Sequence, residues 1–453
     1  MGLALIASDY KYQVPPHIEL INEKLQAVAL GEIKQLMIFL PPRHGKSFLV
    51  SQYFSAWYLG MFPDKRVILT AYEADFAASW GRKSRDLLNE HGKQLFNVEL
   101  NNKSSAANRW DIKGHDGGMI TAGVGGPITG KGADILIIDD PIKNSEEANS
   151  QTYRDKTWEW YQSTAYTRLE PNGAVILIMT RWHEDDLAGR LLKAMNNNGE
   201  QWEVVNLPAI AEDNDMLGRK SGEALWPGRY SLNELNRIKG TTGSYYWSAL
   251  YQQRPQPPGG GLLKSSWLDY YNPGDLSNTD EMDIYQAWDL AISTRETADY
   301  TVCTTLGVSG ENKINVLDWY RGRIDFPTQI KMVEKLAQKW NPLQIAIESN
   351  AYQKALPQQL KDTSMLPIKE VNRTKDKVTR ISSGFVQFEN GKVLLPKKHP
   401  ELENFINEYV YFPHGKHDDM LDSMELALQL NKYPYIDMDP YLIVGSNDYI
   451  DFY

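Results

Sequence analysis

Two sets of residues in this chain have the types and spacing to handle phosphate chemistry. The first begins in "LPPRHGKSFLV", residues 40–50, which follows the apolar run "QLMIFL". Gly45-Lys46-Ser47 matches the end of the P-loop pattern, although Leu40 stands where that pattern starts with glycine. Backbone N–H groups of Arg43, His44 and Gly45, at a helix N-terminus, suit the phosphates of a nucleotide. Lys46 suits the β- and γ-phosphates, and the Ser47 hydroxyl suits Mg²⁺. "DILIIDDP", residues 134–141, ends an apolar run in two acids. Asp139 is placed to orient hydrated Mg²⁺ and Asp140 to act as the general base that activates water. Asp is shorter than Glu, so Glu146 and Glu147 stay open as alternative bases. Further on, "ILIMTRWHEDDLAGR" puts Thr180 and Arg181 at a strand end, where a polar group can sense a γ-phosphate. Its acidic start, Glu184 to Asp186, and its basic end read as a helix complementing its own dipole. Arg43, Arg168 or a residue from a neighbouring subunit is the candidate for steadying transition-state charge. The expected cofactors here are ATP and Mg²⁺.

The second set is made of carboxylates. Asp289 ends "YQAWDLA", Glu348 ends "LQIAIES", and Asp418 with Asp419 opens "DDMLDSMELALQL". Acids at the ends of regular elements can hold two Mg²⁺ or Mn²⁺ ions about 3.5–4 Å apart, which activate water and steady a leaving oxygen. Hard divalent cations want oxygen ligands. His414 and His417 raise zinc as a rival, but the chain has one cysteine, Cys303, and no thiolate cluster. His417 reads instead as a contact to a DNA phosphate or a support for the metal ligands. Asp422, one turn into the helix, reads as an ordinary helix-face acid. The basic runs "NRTKDKVTR" (372–380) and "LPKKHP" (395–400) read as solvated faces that, beside a metal site, would contact a DNA backbone.

The elements that must position these groups fall into two series. "QLMIFL" (35–40), "RVILTAY" (66–72), "ADILIID" (133–139) and "AVILIMT" (174–180) are rich in Ile, Val and Leu without alternation. Such runs predict strands buried on both faces of a parallel sheet. A more polar helical stretch up to about residue 250 predicts a small lid, and "QQRPQPPGGGLLKSS" (252–266) a seam. Beyond it, "DIYQAWDLA" (283–291), "DYTVCTTLGVS" (299–309) and "INVLDWYRG" (314–322) predict a meander. A helix and the strand "LQIAIESN" follow, which is the order of an RNase H-like domain. The expected organisation is a P-loop ATPase core at 1–194, a lid at 195–252, a linker at 253–280, an RNase H-like nuclease at 281–432 and a tail at 433–453.

A hydrophobic content of 42% with 11% aromatics describes a large folded core. The net charge of −10 argues against a histone-like coat for nucleic acid, while leaving room for a local basic track. No apolar run approaches the ~20 residues of a membrane helix, and the N-terminus lacks the basic region of a signal peptide. The single cysteine fits a reducing, intracellular setting.

Taken in order, "PPRHGKS", "GVGGPITGKGADILIIDDP", "TRWHEDDLAGR", "WDLA", "IESNAY" and "FPHGKHDDMLD" resemble the large terminase subunits of tailed bacteriophages and prophages. The resemblance runs from about Val14 to Leu430. It implies an N-terminal ASCE/RecA-like ATPase that translocates double-stranded DNA into an empty capsid, and a C-terminal nuclease that cuts concatemeric DNA. By position it implies Lys46 and Ser47 for Walker A, Asp139 for Walker B, Thr180 for coupling, and Asp289, Glu348, Asp418 and Asp419 for the nuclease. Asp140 stands where many relatives carry glutamate, and Lys131 where an arginine is frequent. The implied partners are a portal ring, a small terminase subunit and further copies of this chain in a ring, often pentameric, on the procapsid. The implied location is the host bacterial cytoplasm. The acidic, aromatic tail after Lys432 is expected to dock on the portal or procapsid.

Overall fold

A computed structural model describes residues 1–255, 262–272, 274, 276, 279–291, 299–310, 313–348, 355–413, 415 and 417–430. His414, the segment "SNAY" and the tail 433–453 lie outside the described residues. The chain divides into two compact units. One holds 1–239 with 246–255, and the other holds 240–245 with the described residues from 262 to 430.

The first unit is built on eight strands: β1 (Gln35–Phe39), β2 (Arg66–Ala71), β3 (Leu100–Ala106), β4 (Arg109–Ile112), β5 (Gly118–Gly123), β6 (Ala133–Asp139), β7 (Leu169–Met179) and β8 (Glu203–Asn206). Their order is β3-β4-β5-β2-β6-β7-β1-β8, and the six strands from β5 to β8 run parallel. The absence of alternation in the sequence has a direct cause. Leu36, Ile38, Ile135, Ile137, Ile176 and Ile178 enter one core, while Met37, Phe39, Leu136, Ile138, Val175 and Leu177 enter another on the opposite face. Successive side chains of a strand point to opposite faces, so a sheet with two covered faces needs apolar residues throughout. The strand before the P-loop and the strand ending in Asp139 are not neighbours, because β7 lies between them. That inserted strand is the ASCE arrangement, and it brings Thr180 between the P-loop and Asp139. After β1, Phe48–Phe54 is wound as a π-helix before the α-helix Ser55–Met61, a local widening that patterning did not indicate.

The second unit carries β9 (Asp269–Tyr271), β10 (Asp283–Asp289), β11 (Thr301–Val308), β12 (Ile314–Gly322), β13 (Gln344–Glu348), β14 (Ile368–Val371) and β15 (Val393–Pro396). They are ordered β14-β13-β10-β11-β12-β15-β9. The strands β10, β11 and β12 form the antiparallel meander, with β13 parallel beside β10 and β14 parallel beside β13. The helix Asp419–Leu430 is buried along almost its whole length and packs on β10 and β11. The Thr304 and Ser423 hydroxyls share a 2.7 Å hydrogen bond that keys this helix to β11. The helix Lys377–Gly384 lies close against it, since a Cβ on Gly384 would sit 3.0 Å from Glu425 Cγ.

Adjacent strand residues on opposite faces give a test of the double-sided core. Leu136→Ala and Ile137→Ala should each cost about 2–5 kcal/mol in urea unfolding. A sheet covered on one face only would make one of the two substitutions nearly silent.

Candidate active sites

In the first unit the site residues converge at the carboxyl ends of β1, β6 and β7. Gly45 has φ +92°, and a Cβ there would also press to 3.1 Å from the Ile18 side chain, so only glycine fits the loop. Lys46, 8% exposed, donates to Thr180 Oγ1 at 2.6 Å and pairs with Asp140 Oδ2 at 2.9 Å. Ser47 Oγ donates to Asp139 Oδ1 at 3.0 Å, and Ser51 Oγ donates to Asp139 Oδ2 at 2.7 Å.

Asp140 has φ +45°, a left-handed conformation that costs a non-glycine residue of the order of 1–2 kcal/mol. Its backbone is held on two sides: its N–H donates to Ile178 O at 2.9 Å and its carbonyl accepts from Tyr72 N at 3.1 Å. In an extended strand, neighbours 139 and 140 would point to opposite faces. The turn instead lets Asp139 reach the two serines while Asp140 reaches Lys46 and the Thr180 N–H, 2.8 Å away. Burial raises the Asp139 carboxyl to about 7, and Asp140 adds to the rise against the opposing pull of Lys46 and the serines. Crowded carboxylates of this kind are the donor set that a hydrated Mg²⁺ relieves.

Glu147 accepts from the Lys143 N–H at 2.9 Å while Asn144 accepts from the Glu147 N–H at 3.0 Å. Asn144 is the N-cap of the helix Ser145–Asn149 and Glu147 reaches back to the residue before it, so Glu147 is engaged in holding the helix start, and Glu146 is exposed. Asp186 caps the helix Leu187–Asn196 by accepting from the Gly189 N–H at 2.8 Å, as the acid-first pattern predicts. It also takes both contacts of Arg181 Nε, at 3.1 and 2.9 Å, and Arg181 lies over the Phe39 ring. Arg181 is thus a buried strut holding the segment after Thr180. The Arg181 N–H donates to Gln253 Oε1 at 3.3 Å. Arg43 is exposed at φ +63°, whereas Arg168 binds the Thr164 carbonyl on its own helical turn.

The His44 ring is fully buried, donating from Nδ1 to Pro42 O at 2.9 Å and stacking on Tyr230 at 4.9 Å. It therefore offers a phosphate only its backbone. His17 Nε2 donates to His44 O at 3.0 Å and braces the loop from behind.

In the second unit, Asp289 closes β10, Glu348 closes β13, and Asp418 and Asp419 begin the last helix. The paired acids diverge. Asp418 faces Lys377 at 2.8 Å, while Asp419 accepts from the Tyr300 N–H at 3.0 Å. Ligand atoms of Asp299, His417 and Asp419 all lie within 4.8 Å of one another, so these three side chains form a group with metal-binding donors. Burial raises Asp419, and Asp299 and Asp418 raise it further.

Asp422 is no ordinary helix-face acid. It is 3% exposed and carries three cations: Arg373 at 2.6 Å, Lys377 at 2.6 Å and Arg380 at 3.0 Å. Burial opposes its ionisation, but those cations hold its carboxyl below the ordinary range. Asp289 is pushed the other way, well above the usual carboxylate range, by burial first, then by Asp422, and also by Glu348 and Asp419. The run 372–380 is accordingly not a solvated face, since Arg373 and Arg380 turn inward onto Glu348, Asp422 and Glu425. Sequence reasoning missed Asp422, Asp299 and Ser51. Asp422 had a spacing signal, lying one helical turn after Asp418. Asp299 and Ser51 had none, because their partners are remote in sequence.

Together these features define an α/β chain with a P-loop ATPase unit followed by an RNase H-like nuclease unit. A family model described as terminase large subunit, T4likevirus-type, N-terminal, matches residues 37–268, just over half of the chain. A second, described as terminase RNaseH-like domain, matches residues 286–430. The chain belongs to the terminase large subunit family, the ATPases and endonucleases of viral DNA packaging. Solved structures similar to it include the large terminase of a thermophilic bacteriophage, at 9% identity, covering 89% of this chain and 97% of that chain with a TM-score of 0.49. The HK97 bacteriophage large terminase is 12% identical, covering 87% and 91% with a TM-score of 0.35. The large terminase nuclease of thermophilic phage G20c, solved with bound magnesium, is 14% identical, covering 38% and 98% with a TM-score of 0.29. A search of curated proteins finds no match. Among the described residues no helix is long and apolar enough to cross a membrane.

The braced P-loop has a pH signature. Burial lowers His17 to about 4 and His44 to about 3, below the ordinary value near 6.5. The unfolded chain takes protons near pH 6.5 that the folded chain refuses until about pH 4. Stability is therefore full above about pH 6.5 and falls as pH drops through that window. Between pH 7.5 and 5 the unaltered chain should lose more stability in urea unfolding than His17→Gln does, the raised Asp139 and Asp289 carboxyls being common to both and cancelling in the difference.

Proposed function

We propose that the first unit hydrolyses ATP to drive double-stranded DNA into a procapsid through a portal, and that the second cuts concatemeric DNA at the start and end of packaging. The observation that carries this reading is the position of Lys46, bonded at once to Asp140 and Thr180 while Ser47 binds Asp139. Lys46 binds the β- and γ-phosphates, the 43–47 backbone cradles them, and Ser47 with Asp139 holds Mg²⁺. That ion supplies charge neutralisation for the phosphates. Asp140 is the acid best placed to take a proton from the attacking water, because Glu147 is used in holding a helix start. Thr180 senses the phosphate through Lys46 and passes the change to Arg181 and, through the Arg181 N–H, to Gln253. Arg43 beside its own P-loop, or Lys131 acting on a neighbouring copy in the ring, completes the charge balance.

In the second unit Asp289, Glu348, Asp418 and Asp419 are the acids that hold Mg²⁺ or Mn²⁺, with Asp299 and His417 beside Asp419. Bound there, the ions would supply activation of water and stabilisation of the leaving oxygen. The raised carboxyls of Asp289 and Asp419 support this, since a cation is what their surroundings call for. The chain is read as working in the host cytoplasm with a small terminase subunit and a portal, in a ring that is often pentameric.

Lys46→Ala should lower ATP hydrolysis by at least ~10²-fold and leave metal-dependent plasmid cutting measurable. Surviving hydrolysis would place the nucleotide elsewhere. Conversely, Asp289→Asn should lower plasmid cutting with Mg²⁺ or Mn²⁺ by ~10–100-fold or more with ATP hydrolysis unchanged. Robust cutting by that variant rejects the nuclease assignment.

A further inference from the structure

The carboxylates of the second unit fall into two electrostatically different halves. On the Glu348 side, Arg373 Nη1 lies 2.9 Å from Glu348 Oε2 and 2.6 Å from Asp422 Oδ1. One nitrogen thus joins an acid from β13 to an acid from the last helix. Arg373 Nη2 donates to the Asp422 carbonyl at 2.7 Å and lies 3.4 Å from Glu425, so the guanidinium is held on two edges. Its side chain is 6% exposed. Arg380 binds Asp422 and Glu425 at 3.0 Å each, and Lys377 joins Asp418 to Asp422 at 2.8 and 2.6 Å.

The Asp419 side is built differently. Among the described residues no lysine or arginine forms an ion pair with Asp299 or Asp419. The groups facing Asp419 include the Tyr300 N–H at 3.0 Å and His417 Nδ1 at 3.8 Å, with the acids Asp299, Asp418 and Glu408 around it. Three side chains with oxygen and nitrogen donors gather there within 4.8 Å. A fixed guanidinium and a divalent cation cannot use the same carboxylate oxygens, and a planar fork held on two edges is not easily displaced.

Resting on the nuclease reading above, we propose that Arg373 is a resident cation between Glu348 and Asp422. The DNA-free nuclease then holds a single divalent ion, on the Asp419 side with Asp299 and His417. A second ion enters on the other side only when the guanidinium leaves Glu348. Loading of the cutting site is in this way tied to movement of one side chain.

The test counts bound Mn²⁺ by electron paramagnetic resonance on the full chain, without nucleotide or DNA, every sample, including the one called unaltered, carrying Asp139→Asn to remove the metal ligand of the first unit. The unaltered chain should bind one ion, Arg373→Met two, and Arg373→Lys one, because lysine keeps a charge there. Two equivalent ions on the unaltered chain, or one on a folded Arg373→Met, overturn the proposal. Arg373→Met removes a buried cation, so circular dichroism checks its folding. A Mn²⁺-soaked crystal of the unaltered chain decides without any variant: anomalous density near Asp419 alone supports the proposal, and density between Glu348 and Asp422 overturns it. Failure to bind Mn²⁺ at all overturns the nuclease reading and this inference together, whereas two equivalent ions overturn the inference alone.

Discussion

Two ionised carboxylates 4 Å apart repel by about 4 kcal/mol at the effective dielectric of a protein surface, and by more where water is excluded. Asp139 and Asp140 are adjacent in the chain under that constraint, and Asp289 feels the charges of Asp422, Glu348 and Asp419. A fold can keep such groups only by supplying cations or hydrogen-bond donors at fixed positions. In the first unit the supply is one lysine, two serine hydroxyls and one backbone N–H. In the second it is Arg373, Lys377 and Arg380 around Asp422. Asp139 and Asp289 end up raised rather than neutralised, which marks where the internal supply stops.

The two sheets meet this demand by different routes. In the first, parallel strands bring their carboxyl ends to one edge, and the insertion of β7 between β6 and β1 puts Thr180 against Lys46. The proposed coupling from the P-loop to the segment after β7 then needs no long path, because Arg181 is locked by Asp186 and bonded to Gln253. In the second, a parallel strand, a meander strand and a helix N-terminus contribute one acid position each. The close approach at Gly384 lets the helix carrying Lys377 and Arg380 reach the acids of its neighbour.

Much of this was legible in the linear chain. The apolar runs at 35–40, 133–139 and 174–180 predict strands covered on both faces, because a strand with one wet face would alternate. Gly45-Lys46-Ser47 and Asp139-Asp140 each lie at the end of such a run, so the first site could be assembled from position alone. The same reasoning placed Asp289 and Glu348. It failed where a residue's meaning depends on what lies opposite. Asp422 looked like a surface acid because helical spacing cannot tell which face is buried. The 372–380 run looked solvated because charge in sequence carries no direction.

The sequence by itself therefore determined the strands, the loop chemistry and the acids at element ends, since these depend on local periodicity and on neighbours within a few residues. Only the tertiary structure decided that Asp418 and Asp419 diverge, that Ser51 joins Ser47 on Asp139, and that Arg373 lies between Glu348 and Asp422. Those outcomes depend on pairs separated by tens of residues, whose energies are set by distance and burial after the sheet has brought them together.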